Sequence, residues 1–236
     1  ALIVRVRERF EDSPEETLDE VLRTFQQLRS AAIPSVIELA PAYTTVAVFF
    51  DPVAVARGRE RPGEVFGWLK EQILHVVAAG GDRGQRRKTK GTIRSVEIPV
   101  CYDPEFAPDL DDVARRAGLS TKEVVDLHST AEYRVACIGF VPGFPFLAGL
   151  PKKLATPRRA TPRKEIPPGS VGIGGAQTGI YPLRSPGGWN LIGRTPLKLF
   201  DPTKNPPALF CAGDRVRFRA ITREVFEASK QGDASR

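Results

Sequence analysis

Methionine is absent from these 236 residues, histidine occurs twice and cysteine three times. Thiols so few and so far apart exclude a disulfide framework and a zinc site, and no metal is expected: Cys101, Cys137 and Cys211 lie in separate apolar stretches and read as three buried, unpaired thiols. No run approaches the ~20 uninterrupted apolar residues of a membrane-crossing helix, and the first residues lack the basic, apolar and small-residue order of a signal peptide. The expectation is a soluble cytoplasmic protein with no membrane partner. Ala1 falls inside an apolar run, so a few residues are expected to precede it.

Carboxylates are missing from one long region. Between Gly139 and Phe200 the only one is Glu165, against nine cations: Lys152, Lys153, Arg158, Arg159, Arg163, Lys164, Arg184, Arg194 and Lys198. A second basic stretch, DRGQRRKTKGTIR at 82–94, has six basic residues and one acid, and outside these two places the chain is net acidic although its total charge is +7. Basic clusters supply phosphate contacts to nucleic acids. The 82–94 stretch has no interleaved aromatics and sits on a glycine-rich connector, so it reads as a solvated loop and no nucleic-acid partner is expected.

At 41% hydrophobic the chain can build a real core. Leu2 to Arg7 reads as a strand, and Ser13-Pro14-Glu15-Glu16 opens a helix to about Ala31 with capping-box spacing. Two short apolar runs, Ser35 to Leu39 and Thr44 to Phe50, suggest neighbouring strands; Pro62 to Ala78 has the spacing of a helix, and Ile93 to Tyr102 alternates like a strand. That β-α-β-β-α-β order is the split βαβ, ferredoxin-like plan. The fold expected is α+β, with a small ferredoxin-like domain at 1–92. Beyond Tyr102 come a helical region, Asp109 to Ala117 and Ser120 to Ser129 with a Ser120/Glu123 capping box, and then many short strands with Gly and Pro between them. These predict a closed or sandwiched β domain at 93–236.

Residues 139–196 hold eleven of the 21 glycines and ten of the 21 prolines. Such composition normally marks a linker. Phe140, Phe144, Phe146, Leu147, Leu150, Tyr181 and Trp189 run through it, and exposing large apolar side chains costs roughly 1.5–3 kcal/mol each. The segment therefore reads as ordered but mostly irregular, including GFVPGFPFLAGLP at 139–151. Prolines stiffen it and glycines let its backbone approach a ligand. Cations, aromatic walls and backbone amides together suit an anion: carboxylate, carbamate or phosphate. A plainer reading makes the glycines barrel turns and the arginines surface charge. GSVGIGGAQTG at 169–179 has neither P-loop nor dinucleotide spacing, and no nucleophile elbow or HExxH occurs. His128 is the sole imidazole placed for proton transfer, although a lone histidine is more often structural, and Glu165 reads as an ion-pair partner.

IGFVPGFPFLAGLP followed by PRRATPRKEIPPGSVGIGGAQTGIYPLRSPGGWNLIGRTPLKLFD closely resembles the bacterial family that includes the B subunit of 5-oxoprolinase, the kinase inhibitor KipI and allophanate hydrolase subunit 1. ALIVRV, VIELAPAYTTVAVFFDP, VEIPVCYDPEFAPDL and GLSTKEVVDLHSTAEYRV extend the likeness over nearly the whole chain; DPEF at 103–106 and the enlarged basic loop at 81–91 depart from it. The resemblance implies a cyclophilin-like β-barrel after the first domain. It also implies a partner with a homologous barrel, of the kind found in the C subunit of 5-oxoprolinase or in KipA, and a LamB/YcsF-type A subunit. The activity implied is opening of 5-oxo-L-proline to L-glutamate with ATP, and Mg, as co-substrate. Inhibition of a sporulation histidine kinase, or an allophanate hydrolase or urea carboxyltransferase role, are the alternatives. On the positions that match the family's motif, chemistry assigns Arg158, Arg163 and Arg194 to the anion, Gln177 and Thr178 to amide or carboxylate hydrogen bonds, and Phe144, Tyr181 and Trp189 to the walls. His128, Arg163 and Gln177 are the catalytic candidates.

Overall fold

A computed structural model describes residues 1–57, 64–81 and 94–233 of the chain, which divides into two units, Ala1–Thr92 and Ile93–Arg236. The basic residues 82–93, and the reading attached to them, lie outside the described residues.

In the first unit β1 (Leu2–Arg5), α1 (Pro14–Ala31), β2 (Val36–Ala42), β3 (Thr45–Phe50), α2 (Pro52–Arg57) and α3 (Val65–Gly81) follow one another. Pro14, with φ already helical, starts α1, but the Ser13 side chain makes no capping bond, so the first expected capping box does not form. The strands pair antiparallel in the order β1-β3-β2. Val46, Val48 and Phe50, spaced by two along β3, meet Val21 and Leu28 of α1 and Leu69 and Ile73 of α3 in one apolar cluster. Ile3 and Phe49 remain exposed, as does Ile37 at a bulge in β2. The strand expected to complete a split βαβ plan is absent from this sheet. Its residues pair in the second unit instead, because Ile98 and Val100 are buried there.

That unit contains β4 (Ser95–Cys101), α4 (Leu110–Ala117), α5 (Thr121–Thr130), β5 (Glu132–Ile138), β6 (Pro145–Ala148), β7 (Arg163–Ile166), β8 (Ser170–Gly174), β9 (Gln177–Ile180), β10 (Ser185–Gly187), β11 (Asn190–Arg194), β12 (Arg215–Ile221) and α6 (Arg223–Asp233). Seven strands close into a barrel in the order β11-β4-β12-β5-β6-β9-β8, while β7 and β10 form a separate pair. Alternate residues fill the barrel core: Ile98 and Val100, Tyr133 and Val135, Val171 and Ile173, Val216 and Phe218. α5 starts on the expected capping box, with Ser120 Oγ accepting from the Glu123 N–H at 3.2 Å and the Glu123 carboxylate accepting from the Ser120 N–H at 2.7 Å.

Two expectations about this unit are corrected. Within GFVPGFPFLAGLP, residues Pro145–Ala148 are a regular strand between β5 and β9. Pro145 stands at its first position, where a missing N–H is tolerated. Cys211 is exposed and Cys137 half-buried, so only Cys101 is a buried thiol.

Candidate functional site

Asp109 precedes α4 where a helix N-cap belongs, yet its side chain caps nothing. The residue is 2% exposed. Its Oδ1 accepts from Arg159 Nη1 at 2.7 Å and from Arg163 Nη2 at 2.8 Å, and its Oδ2 accepts from the Leu191 N–H at 2.7 Å. The Asp109 N–H donates to the Leu191 carbonyl at 3.0 Å, which fixes the start of α4 against β11. A buried carboxylate is tolerable only with such partners. Two guanidiniums on one carboxylate leave a positive charge in excess. They also leave donors over: Arg159 Nε and Arg163 Nη1 are buried without a partner.

The segment carrying these arginines is tied to the barrel at several points. Thr156 and Gly175 exchange both backbone hydrogen bonds, at 3.1 and 2.7 Å, and the Arg159 N–H donates to the Gly188 carbonyl at 2.7 Å. Asn190 Nδ2 donates to the carbonyls of Pro157, at 2.9 Å, and Ile173, at 3.2 Å. Prolines 157 and 162 restrict the same stretch. The Arg158 guanidinium lies 5.9 Å from the centre of the Trp189 ring, within cation–π range. Between this segment and the last turn of α4 runs a groove of about 800 Å³, lined by Arg115, Arg116, Arg158, Arg159, Thr161 and Asn190 among others. Its one acid, Asp112, is held by Arg115 at 2.9 Å.

Arg163 is thus brought to Asp109 beside Arg159, and Arg159 lines the groove with Arg158; Asp109 and Arg159 were not singled out by the sequence reading. Arg194 is not with them. It lines a smaller concavity of about 190 Å³ with Lys198, Gly169 and Pro182, where its Nε donates to the Pro168 carbonyl at 2.9 Å. Burial and nearby Arg184 lower its pKa, against Glu227 and Glu105. Gln177 opens β9 opposite Gly174, at the hairpin to which Thr156 is tied. Glu165 pairs with Arg184, as its setting suggested.

The aromatic walls are corrected. Phe144, Tyr181 and Trp189 are 1%, 2% and 5% exposed and pack edge-on against one another, with Phe144 5.1 Å from Tyr181 and 5.5 Å from Trp189. Apolar faces this large gain more from each other than from a wet cleft, so they form a small core behind the arginines. Burial raises the Tyr181 pKa. Phe140 is the exposed ring, with φ +67°, a left-handed conformation rare for a bulky residue.

His128 is also corrected as a proton-transfer residue. It is wholly buried on the inward side of α5, stacked on Phe218 with centroids 4.4 Å apart. Thr178 must donate to the Gly172 carbonyl at 3.0 Å, so its oxygen accepts from His128 Nε2–H at 3.0 Å. Nδ1 then accepts from the Tyr102 hydroxyl at 2.8 Å, which assigns the Nε2–H tautomer. Burial pushes the imidazole pKa down to about 3. Thr178 is consumed in the same chain. Both are structural links across the barrel core, and neither reaches solvent.

Among the described residues no three His, Cys, Asp or Glu side chains gather to hold a metal ion, and no helix is long and apolar enough to cross a membrane. Asp109 could have been noticed in the sequence only as an N-cap, and Arg159 only as one of nine cations.

Known proteins resemble this chain over most of its length. The family described as carboxyltransferase domain, subdomain C and D, matches residues 1–210. The 5-oxoprolinase B subunit of Bacillus subtilis (strain 168) is 46% identical over 202 residues, 84% of this chain and 81% of that protein. The 5-oxoprolinase B subunit of Escherichia coli O157:H7 is 59% identical over 125 residues, 53% of this chain and 57% of that protein. Among solved structures, TTHA0988 superposes with a TM-score of 0.73 at 38% identity, covering 93% of this chain, which spans 39% of that one. The urea carboxylase of Kluyveromyces lactis, at 18% identity and a TM-score of 0.67 over 91% of this chain and 20% of its own, shares the fold.

Proposed function

The chain belongs to the carboxyltransferase domain, subdomain C and D, family, and from that premise we propose that it is the B subunit of an ATP-dependent 5-oxoprolinase. The observation that carries the reading is the 46% identity to the Bacillus subtilis protein along 84% of this chain. In this reading the assembly opens the lactam of 5-oxo-L-proline to L-glutamate, with ATP and Mg as co-substrates, in the cytoplasm. This chain is inactive until it meets the C subunit, through barrels of the same cyclophilin-like kind, and a LamB/YcsF-type A subunit. Its part is to receive an anion. The rigid cationic segment offers donors already oriented for a carboxylate or phosphoryl oxygen, so little reorganisation is needed as charge develops there. Carboxyl transfer in urea breakdown has only distant likenesses behind it, the shared fold and a 27% identity over 60% of this chain to the protein named "Putative urea carboxylase" of Emericella nidulans.

Co-expression with both partners, followed by measurement of glutamate formed from 5-oxoproline and ATP, tests the proposal. Turnover by the assembly and none by the chain alone is expected; a stoichiometric complex without turnover would point instead to a regulatory binder. Within the active assembly, Arg163→Lys keeps a charge but loses the fork that holds Asp109. Its kcat should fall about 10²-fold or more, the scale seen when one oriented donor is removed, while the melting temperature of the isolated chain stays within a few degrees. Undiminished turnover would remove Arg163 from the site.

A further inference from the structure

The groove beside α4 holds more positive charge than one small acid neutralises. Among the described residues Arg116 and Arg158 have no carboxylate partner, and Arg159 and Arg163 share the single carboxylate of Asp109. Only the Arg115 charge is matched, by Asp112. Arg163 stands outside the lining, so the surplus in the groove is about two charges, from Arg116 and Arg158, beside the Arg159 guanidinium that Asp109 holds. A monocarboxylate would compensate one of these charges and leave the other; linked phosphoryl groups would compensate both and supply oxygens for several guanidinium N–H groups at once. At about 800 Å³ the groove is within the range of small-molecule sites and too large for a lone oxyanion. Its lining contains no aromatic side chain, and Trp189 is covered on the groove side by Arg158, so nothing there stacks on a base.

We propose that this groove binds a small molecule through two or more linked phosphoryl groups, and that Asp109, shared with Arg163, is the positioning residue that holds Arg159 towards them. The proposal rests on reading the cationic segment as anion-receiving. The recognised part is the oligophosphate chain, whether it comes from a nucleoside triphosphate or from inorganic oligophosphate. The site is built rather than merely basic: its arginines are held by a 2% exposed carboxylate, an aromatic face and the backbone bonds at Thr156, Arg159 and Asn190. Solvated surface lysines and arginines have no such supports.

Calorimetric titration of the full chain with sodium tripolyphosphate, ATP and AMP at fixed ionic strength tests it. Tripolyphosphate should bind one site per chain; equal affinity for ATP marks the phosphates as the recognised part, and displacement of each by the other marks one shared site. AMP, with a single phosphoryl group, should bind about tenfold or more weakly. Arg116→Gln with Arg158→Gln should weaken tripolyphosphate about tenfold or more, as should Asp109→Asn, which keeps the shape of the side chain but frees both guanidiniums. Arg219→Gln, whose partner is Glu97, should change nothing. Should Asp109→Asn fail to fold, the surface double variant decides. No saturable binding, undiminished affinity in the double variant, equal binding of AMP, or a preference for single-stranded RNA over tripolyphosphate that depends on the same arginines would each overturn the proposal. Absence of tripolyphosphate binding by the parent chain, with glutamate still formed by the assembly, defeats this inference alone. Binding without glutamate formation defeats the proposed activity alone.

Discussion

Both ring nitrogens of His128 are occupied and its ring lies against Phe218, so removing the side chain strands the Tyr102 hydroxyl and empties a packed volume. Loss of two buried hydrogen bonds and a cavity together should cost His128→Ala about 2–4 kcal/mol in a denaturant titration. The imidazole also couples stability to pH. In the folded chain its pKa is held at about 3, below the ordinary value near 6.5, so the unfolded chain binds the proton more readily. Its contribution to stability is complete above that ordinary value and is lost as pH falls through the interval towards 3. The stability gap between the parent chain and His128→Ala should therefore narrow between pH 7 and pH 4; a constant gap would mean that the ring titrates normally. Nothing in DLHST distinguishes a core histidine from a reactive one, because burial is set by strands far along the chain. Asp109 was illegible for the same reason: its partners Arg159, Arg163 and Leu191 are 50 to 82 residues away.

The glycine-rich hairpin of β8 and β9 shows what those glycines are for. A Cβ on Gly174 would stand 2.5 Å from the Trp189 indole, which in turn supports Arg158. Gly174→Ala should cost about 1–3 kcal/mol through overpacking and shift the tryptophan fluorescence, both read in one thermal melt. Gly67 in α3 has open space around its missing Cβ, so Gly67→Ala should raise stability, by about 0.5–1 kcal/mol. Equal effects at the two positions would contradict these surroundings. Helices α1, α3, α4 and α5 were legible at this scale because apolar spacing and Pro14 or the Ser120 cap mark them locally, whereas α2 and α6 went unread. Strands β6, β7 and β10 were not: each has three or four residues, and Pro145, Pro186 and the neighbouring glycines carry turn signals that pairing overrides.

At the scale of the molecule, every strand of the barrel comes from residues 95–221, and the three-stranded sheet takes none of them. Residues 93–236 produced alone should unfold in one cooperative denaturant transition and still bind whatever the groove binds. A non-cooperative or aggregated fragment would show that the first unit is needed for the second. The turn to short strands punctuated by Gly and Pro from Glu132 onward was readable; the membership of β4 was not, since alternation says that a strand exists and never which sheet it joins. That membership has a further consequence. β4 lies parallel to β12 in continuous register from Ser95↔Arg215 to Cys101↔Ile221, partners 120 positions apart. During synthesis the N-terminal unit can collapse early, while the barrel cannot shut until residue 221 has left the ribosome. Its nascent strands, β4 among them, spend that interval with unpaired edges, which makes the second unit the slow and aggregation-exposed part of biosynthesis.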